Sequence, residues 1–222
     1  MKLYYSITAA LVATTSAKPE KVGGRKLGQT KDILSILTGQ SSQATKNFLR
    51  NYGCYCYPLM SQKAGPAFNY NGDPVDELDD LCKKLYRAQK CIEIDNSEGL
   101  YENECSIDQG FGFYQDDNGE IVCGAEENQS EKDGKYACRV NMCELEKDFA
   151  GKVQALMNSG YTQNNSYKNM DEADYQNTCV KTPNGSGADV ELSCCGVGIQ
   201  RRTYNTITST CCDNRVESLG AC

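Results

Sequence analysis

Apolar residues recur at helical spacing in two long stretches of the chain. Val75, Leu78, Cys82, Leu85 and Ile92 follow one another at three-, four- and seven-residue steps, the period of a single helix face. Pro74 opens this stretch, Asp76, Glu77, Asp79 and Asp80 crowd its positive end, and Lys83, Lys84, Arg87 and Lys90 follow toward its negative end. The pattern predicts a helix over 75–92. A second helix is predicted from Tyr136 to Asn158, with Val140, Cys143, Phe149, Val153 and Leu156 facing inward and Gly160 just past its end. Ile33, Leu34, Ile36 and Leu37 give a short helical pattern before Gly39. Phe111 to Cys123 places apolar residues on both sides of Asp117-Asn118-Gly119, a hairpin signal. Pro66 to Pro74 is a turn-rich loop. Residues 158–187 are rich in Asn, Ser, Thr and Gly and read as a linker or long loop.

Cysteine content sets the compartment. Fourteen cysteines without histidine, and without paired CxxC knuckles, argue for seven disulfides rather than zinc. Disulfides persist in oxidising surroundings. The first residues agree: Met1-Lys2 precede an apolar run, and cleavage after Ala17 makes residues 1–17 a signal peptide, with 18–28 a lead-in or propeptide. The run is too short to span a bilayer, and no later segment reads as a membrane span. N-x-S sequons stand at Asn128, Asn164 and Asn184. A net charge of -7 speaks against nucleic acid and against docking on anionic lipid.

Two vicinal cysteine pairs, Cys194-Cys195 and Cys211-Cys212, mark residues 188–222 as a separate cysteine-rich module ending at Cys222. Adjacent cysteines bond each other only with strain, so each pair is expected to reach two different partners. The CCG…YN…CC arrangement resembles units of galaxin-like extracellular matrix proteins.

Residues 52–91 read YGCYCYPLMSQKAGPAFNYNGDPVDELDDLCKKLYRAQKC, and a second stretch reads FYQDDNGEIVCGAEEN…ACRVNMCELEKDFA. Together they resemble the secreted phospholipase A2 family over about residues 48–153. The resemblance implies a mainly α, disulfide-rich fold over residues 29–157, in which two antiparallel helices pack with a small β-hairpin. It implies the bridges Cys56–Cys82, Cys105–Cys138 and Cys123–Cys143, with Cys54 reaching Cys179 or a tail cysteine; the partner of Cys91 stays open. Two family bridges lose both partners together. Ala88 and Leu145 stand at one, Leu81 and a residue near Lys152 at the other.

The family's chemistry needs a histidine base and a calcium-binding aspartate, three and four residues after the helix cysteine. After Cys82 those places hold Leu85 and Tyr86. Leucine takes no proton, and a phenol is a poor ligand for a hard cation that prefers carboxylates. Glu146 keeps the carboxylate that would orient the histidine, and is expected to cap or to pair with a cation or tyrosine hydroxyl. The cluster Asp73, Asp76, Glu77, Asp79, Asp80 reads as a helix start rather than a cation site, and Asp116, Asp117, Asn118, Glu120 as turn chemistry. No metal or other cofactor is expected. Tyr55, Tyr57 and Tyr70 beside the degenerate site are candidates for a binding groove. The sequence thus reads as a secreted, non-catalytic structural protein that assembles with itself or with other extracellular proteins. A lipid-binding module is the alternative, and a calcium-dependent phospholipase with an unconventional site ranks third.

Overall fold

A computed structural model describes residues 27–57, 72–96, 111–124, 134–180 and 192–222. Residues 1–17, expected as a signal peptide, most of 18–28, expected as a lead-in or propeptide, and Tyr70, Cys105, Asn128 and Asn184 lie outside them. The fold is a disulfide-rich mixture of helices and short strands. Among the described residues its helices include α1 (Leu27–Thr38), α2 (Ser42–Leu49), α3 (Glu77–Asp95), α4 (Gly134–Asn158) and α5 (Glu172–Thr178). Its strands are β1 (Phe113–Gln115), β2 (Ile121–Cys123), β3 (Leu192–Cys195), β4 (Arg202–Asn205), β5 (Ser209–Cys212) and β6 (Arg215–Ser218).

Helix α3 begins two residues later than its apolar pattern because Asp76 acts as the cap. Its side chain accepts from the Asp79 N–H at 3.1 Å, which leaves Pro74 and Val75 outside the helix. Leu78, Cys82, Leu85, Ala88 and Ile92 are buried against Cys138, Met142, Leu145, Phe149 and Val153 of α4, and Ile33 and Leu34 of α1 complete the same core. Each large aliphatic side chain so buried contributes about 1.5–3 kcal/mol. Helix α1 lies along α4: Thr30 donates to Glu146, and the Gln154 side chain donates to the Leu37 carbonyl. Residue numbers rise together along both helices, so these two run in the same direction. Helix α2 has only Thr45 and Leu49 buried. Two inward residues make no readable period, although Ser41 caps the helix by accepting from Ala44 N–H at 3.2 Å.

Strands β1 and β2 pair antiparallel, with Tyr114 opposite Val122. The turn between them is closed by Asp116, whose carboxylate accepts from the N–H groups of Asn118 (3.0 Å) and Glu120 (2.7 Å). The Cys123–Cys143 bridge ties this hairpin to α4.

Residues 158–180, expected as part of a linker or long loop, pack against the rest of the fold. The segment folds back on residues 47–54: Gly53 N–H donates to the Tyr167 carbonyl (3.0 Å), Asn169 N–H donates to the Asn51 carbonyl (2.8 Å), and Tyr52 bridges Lys168. Helix α5 then buries Tyr175, whose hydroxyl donates to the Cys54 carbonyl at 2.7 Å, and Cys179 bonds Cys54. Polar composition misleads here because the polar groups pair across chain segments more than 100 residues apart, where local reading cannot reach.

The tail is two antiparallel ribbons, β3–β4 and β5–β6. A two-residue turn, Asp213-Asn214, joins the second pair with φ of 47° and 66°, the left-handed conformation that matches strand twist. Neither vicinal pair closes on itself: the bridges are Cys91–Cys194, Cys195–Cys211 and Cys212–Cys222. The 3-10 turn Gly198–Gln200 packs on both α3 and α4 and fully buries Ile199. Ile199 N–H donates to Asp148 at 3.0 Å, and Arg201 pairs with Asp95. The cysteine-rich segment is therefore docked on the helices rather than tethered beside them. Among the described residues, no helix is long and apolar enough to cross a membrane.

Candidate functional site

The Tyr52–Cys56 loop wraps the first turn of α3, and one buried carboxylate organises it. Asp79 accepts from the backbone N–H groups of Tyr55 (2.7 Å), Cys54 (2.9 Å), Cys56 (3.1 Å) and Val75 (3.1 Å). Burial pushes its carboxyl above the usual range, while the four N–H groups pull the other way. The loop comes this close because residue 53 is glycine with φ of 61°. The Cys56–Cys82 bridge fastens the loop one helical turn further on.

The neighbouring acids are occupied in the same manner. Asp76 caps α3 with one oxygen, and its other oxygen accepts from the hydroxyls of Tyr52 and Tyr161 (2.6 Å for the latter). Burial, reinforced by the bond to Asp76, raises Tyr52 to about 12 and raises Tyr161 further. Asp80 pairs with Lys84 at 2.7 Å, and Asp73 with Lys83 at 3.6 Å. The acidic run behaves as a helix start: Asp76 and Asp79 direct lone pairs at N–H and O–H donors, and Asp80 pairs with Lys84 one turn on.

Deeper along α3, Leu85 is fully buried and Tyr86 is partly buried beneath Lys90, whose ammonium lies 5.9 Å from the ring centre. Glu146 of α4 meets Gln89, one turn beyond them on α3. It is 1 % exposed and accepts from the Thr30 hydroxyl and from the Gln89 side-chain amide at 3.2 Å. The expected role was to cap or to pair with a cation or tyrosine hydroxyl; Thr30 and Gln89 are among the partners it has here. What Thr30, Gln89 and Glu146 make is a buried polar knot between three helices. Thr30 and Gln89 are neutral donors, and neither supplies a proton acceptor of imidazole type.

The aromatic candidates separate. Tyr55 is buried, its hydroxyl donates to the Gly72 carbonyl (2.7 Å), and Lys83 sits 5.0 Å from its ring centre, so its surface is used within the fold rather than offered to a groove. Tyr57 is partly buried, with its ring centre 5.7 Å from that of Tyr175. Asn164 is exposed and caps a 3-10 turn at Asn165–Tyr167. Cys138 is disulfide-bonded.

Sequence reading missed several members of these clusters. Lys168 donates to the carbonyls of Asn47 and Phe48 (3.0 Å for the latter), at the C-terminal end of α2, and burial lowers it to about 8. Tyr161 and Thr30 join through contacts distant in sequence and left no local signal. Gln89 did leave one, since it interrupts the apolar stripe between Leu85 and Ile92. Neither a family model, nor a curated protein, nor a solved structure matches this chain.

Proposed function

We propose that this chain is a secreted, non-catalytic phospholipase A2-like protein that serves as a structural subunit of an extracellular matrix, coat or filament. Its two long helices would be the family's antiparallel pair, kept for shape. The observation that carries this reading is the state of the reactive positions: Leu85 is sealed in the core, and Glu146 is held by Thr30 and Gln89. Losing a general base costs about a hundredfold to ten-thousandfold in rate. The dense cross-linking and the helix-start use of the acidic cluster support the same reading, because both serve rigidity. Assembly is supported by the tail ribbons, where Leu192, Val197, Ile207 and Leu219 are all at least half exposed.

Sedimentation of the purified chain over a concentration series tests the proposal, and species larger than the monomer are expected. A strictly monomeric protein at high concentration would count against a structural subunit. In the same preparation, calcium-dependent fatty-acid release should not exceed a heat-inactivated control. Stoichiometric lipid in an organic extract would favour the lipid-binding alternative instead.

A further inference from the structure

We infer that Asn164 is an N-glycosylation site, whose side-chain amide takes one oligosaccharide from a polyprenyl-diphosphate donor; this rests on the secretion part of the reading above. Asn164, Asn165 and Ser166 form a sequon, and all three are exposed. Asn164 Oδ1 accepts from the Ser166 backbone N–H at 3.0 Å. Its backbone N–H donates to the Tyr52 hydroxyl at 3.2 Å, and its carbonyl accepts from Tyr167 N–H at 3.1 Å. Every polar atom of Asn164 is thus engaged except Nδ2, which has no partner among the described residues, as is true of the Ser166 hydroxyl. These are the two groups that the transfer reaction needs.

In that reaction Nδ2 attacks the anomeric carbon of the first sugar. The carbon–oxygen bond to the diphosphate breaks, the lipid diphosphate leaves with the electron pair, and the amide nitrogen loses one proton. Nothing is oxidised or reduced. The product keeps the amide oxygen, so the bond from Ser166 N–H survives and the turn persists beneath the glycan. The flanking residues hold the base still: Gln163 donates to the Phe48 carbonyl (2.7 Å) and Tyr161 to Asp76 (2.6 Å). A sugar rooted there displaces no contact of the fold.

The test is expression in a glycosylating eukaryotic host, once with residues 1–17 as leader and once with a foreign signal peptide in their place. Secreted protein is digested with a peptide amidase that releases N-glycans, and the 164–166 peptide is read by mass spectrometry. Conversion of Asn164 to aspartate is expected, with loss of one glycan step on gels in Ser166→Ala and its return in Ser166→Thr. Ser166→Ala leaves the backbone N–H of the turn in place, so the loss reads acceptor chemistry rather than folding. An unmodified Asn164 in protein secreted from the foreign leader overturns the inference. A glycan seen only with the foreign leader keeps the site and instead refutes secretion by the native N-terminus.

Discussion

Gly53 and Asp79 compete for one space: a methyl group placed on Gly53 would lie 2.4 Å from the Asp79 carboxyl carbon. The glycine is needed twice, for its positive φ and for the approach that lets three successive N–H groups reach the carboxylate. Gly53→Ala is therefore expected to destabilise the protein by about 3 kcal/mol or more, since a left-handed alanine adds to the displaced hydrogen bonds. Urea unfolding checks it, and an unchanged midpoint would contradict the packing.

Asp79 gives the converse test. Asp79→Asn keeps the shape but aims an N–H₂ group at donors, leaving at least one buried N–H without an acceptor. A loss of about 1–3 kcal/mol is expected, with a larger one for Asp79→Ala, which strands all four N–H groups. Thermal melts of the two variants should rank in that order.

Glu146 and Gln89 should behave as a coupled pair. Gln89→Leu removes one donor from a buried carboxylate and is expected to cost about 1–3 kcal/mol. Glu146→Leu leaves the Gln89 amide and the Thr30 hydroxyl without that acceptor. The double variant, with both members apolar, should lose less than the two single losses added together. Simple additivity in a double-mutant cycle would show that the two side chains do not act together.

Two groups at the loop junction titrate in opposite senses. Lys168 falls from 10.5 to about 8 on folding, so below pH 8 its burial opposes folding, and stability should rise as pH climbs from 8 to 10.5. Tyr52 rises from 10.0 to about 12, so its contribution is complete below pH 10 and is lost as pH rises through 12. Denaturant midpoints against pH should climb and then fall. Lys168→Met should flatten the first limb and Tyr52→Phe should soften the second; a profile unchanged by either would remove these groups from the account.

How much was legible follows from where the information resides. The long helices α3 and α4 were readable because their apolar stripes repeat along one local period, with an acidic start added in α3, and the hairpin because Asp117-Asn118-Gly119 interrupts apolar runs. Helix α2 was not, since Thr45 and Leu49 alone set no period. The Asp79 cradle was half visible: its acids were read as a helix start, but the loop that folds over them depends on Gly53 being near residue 79 in space. Residues 158–180 looked like linker because Tyr161, Tyr167 and Lys168 find their partners at residues 47–76. Local composition carries no trace of such distant pairing.

The docking of the tail was equally hidden, and it yields the last prediction. Four anchors are seen among the described residues: the Cys91–Cys194 bridge, the Ile199 side chain between α3 and α4, the Ile199 N–H bonded to Asp148, and the Arg201–Asp95 pair. The bridge closes a span of 103 residues, for which about 2–4 kcal/mol is typical. Ile199→Ala leaves a cavity worth about 2–5 kcal/mol, whereas the half-exposed ion pair contributes under about 1 kcal/mol. Replacing both Cys91 and Cys194 by serine should thus loosen the tail without releasing it, and adding Ile199→Ala should release it. Amide hydrogen exchange reads the difference: faster exchange over Leu192–Asn205 in the serine variant, and in the triple variant also over the end of α3 from Ala88 to Asp95. If Ile199→Ala exchanged like the parent protein, the apolar anchor would be redundant and the bridge alone would hold the ribbons to the helices.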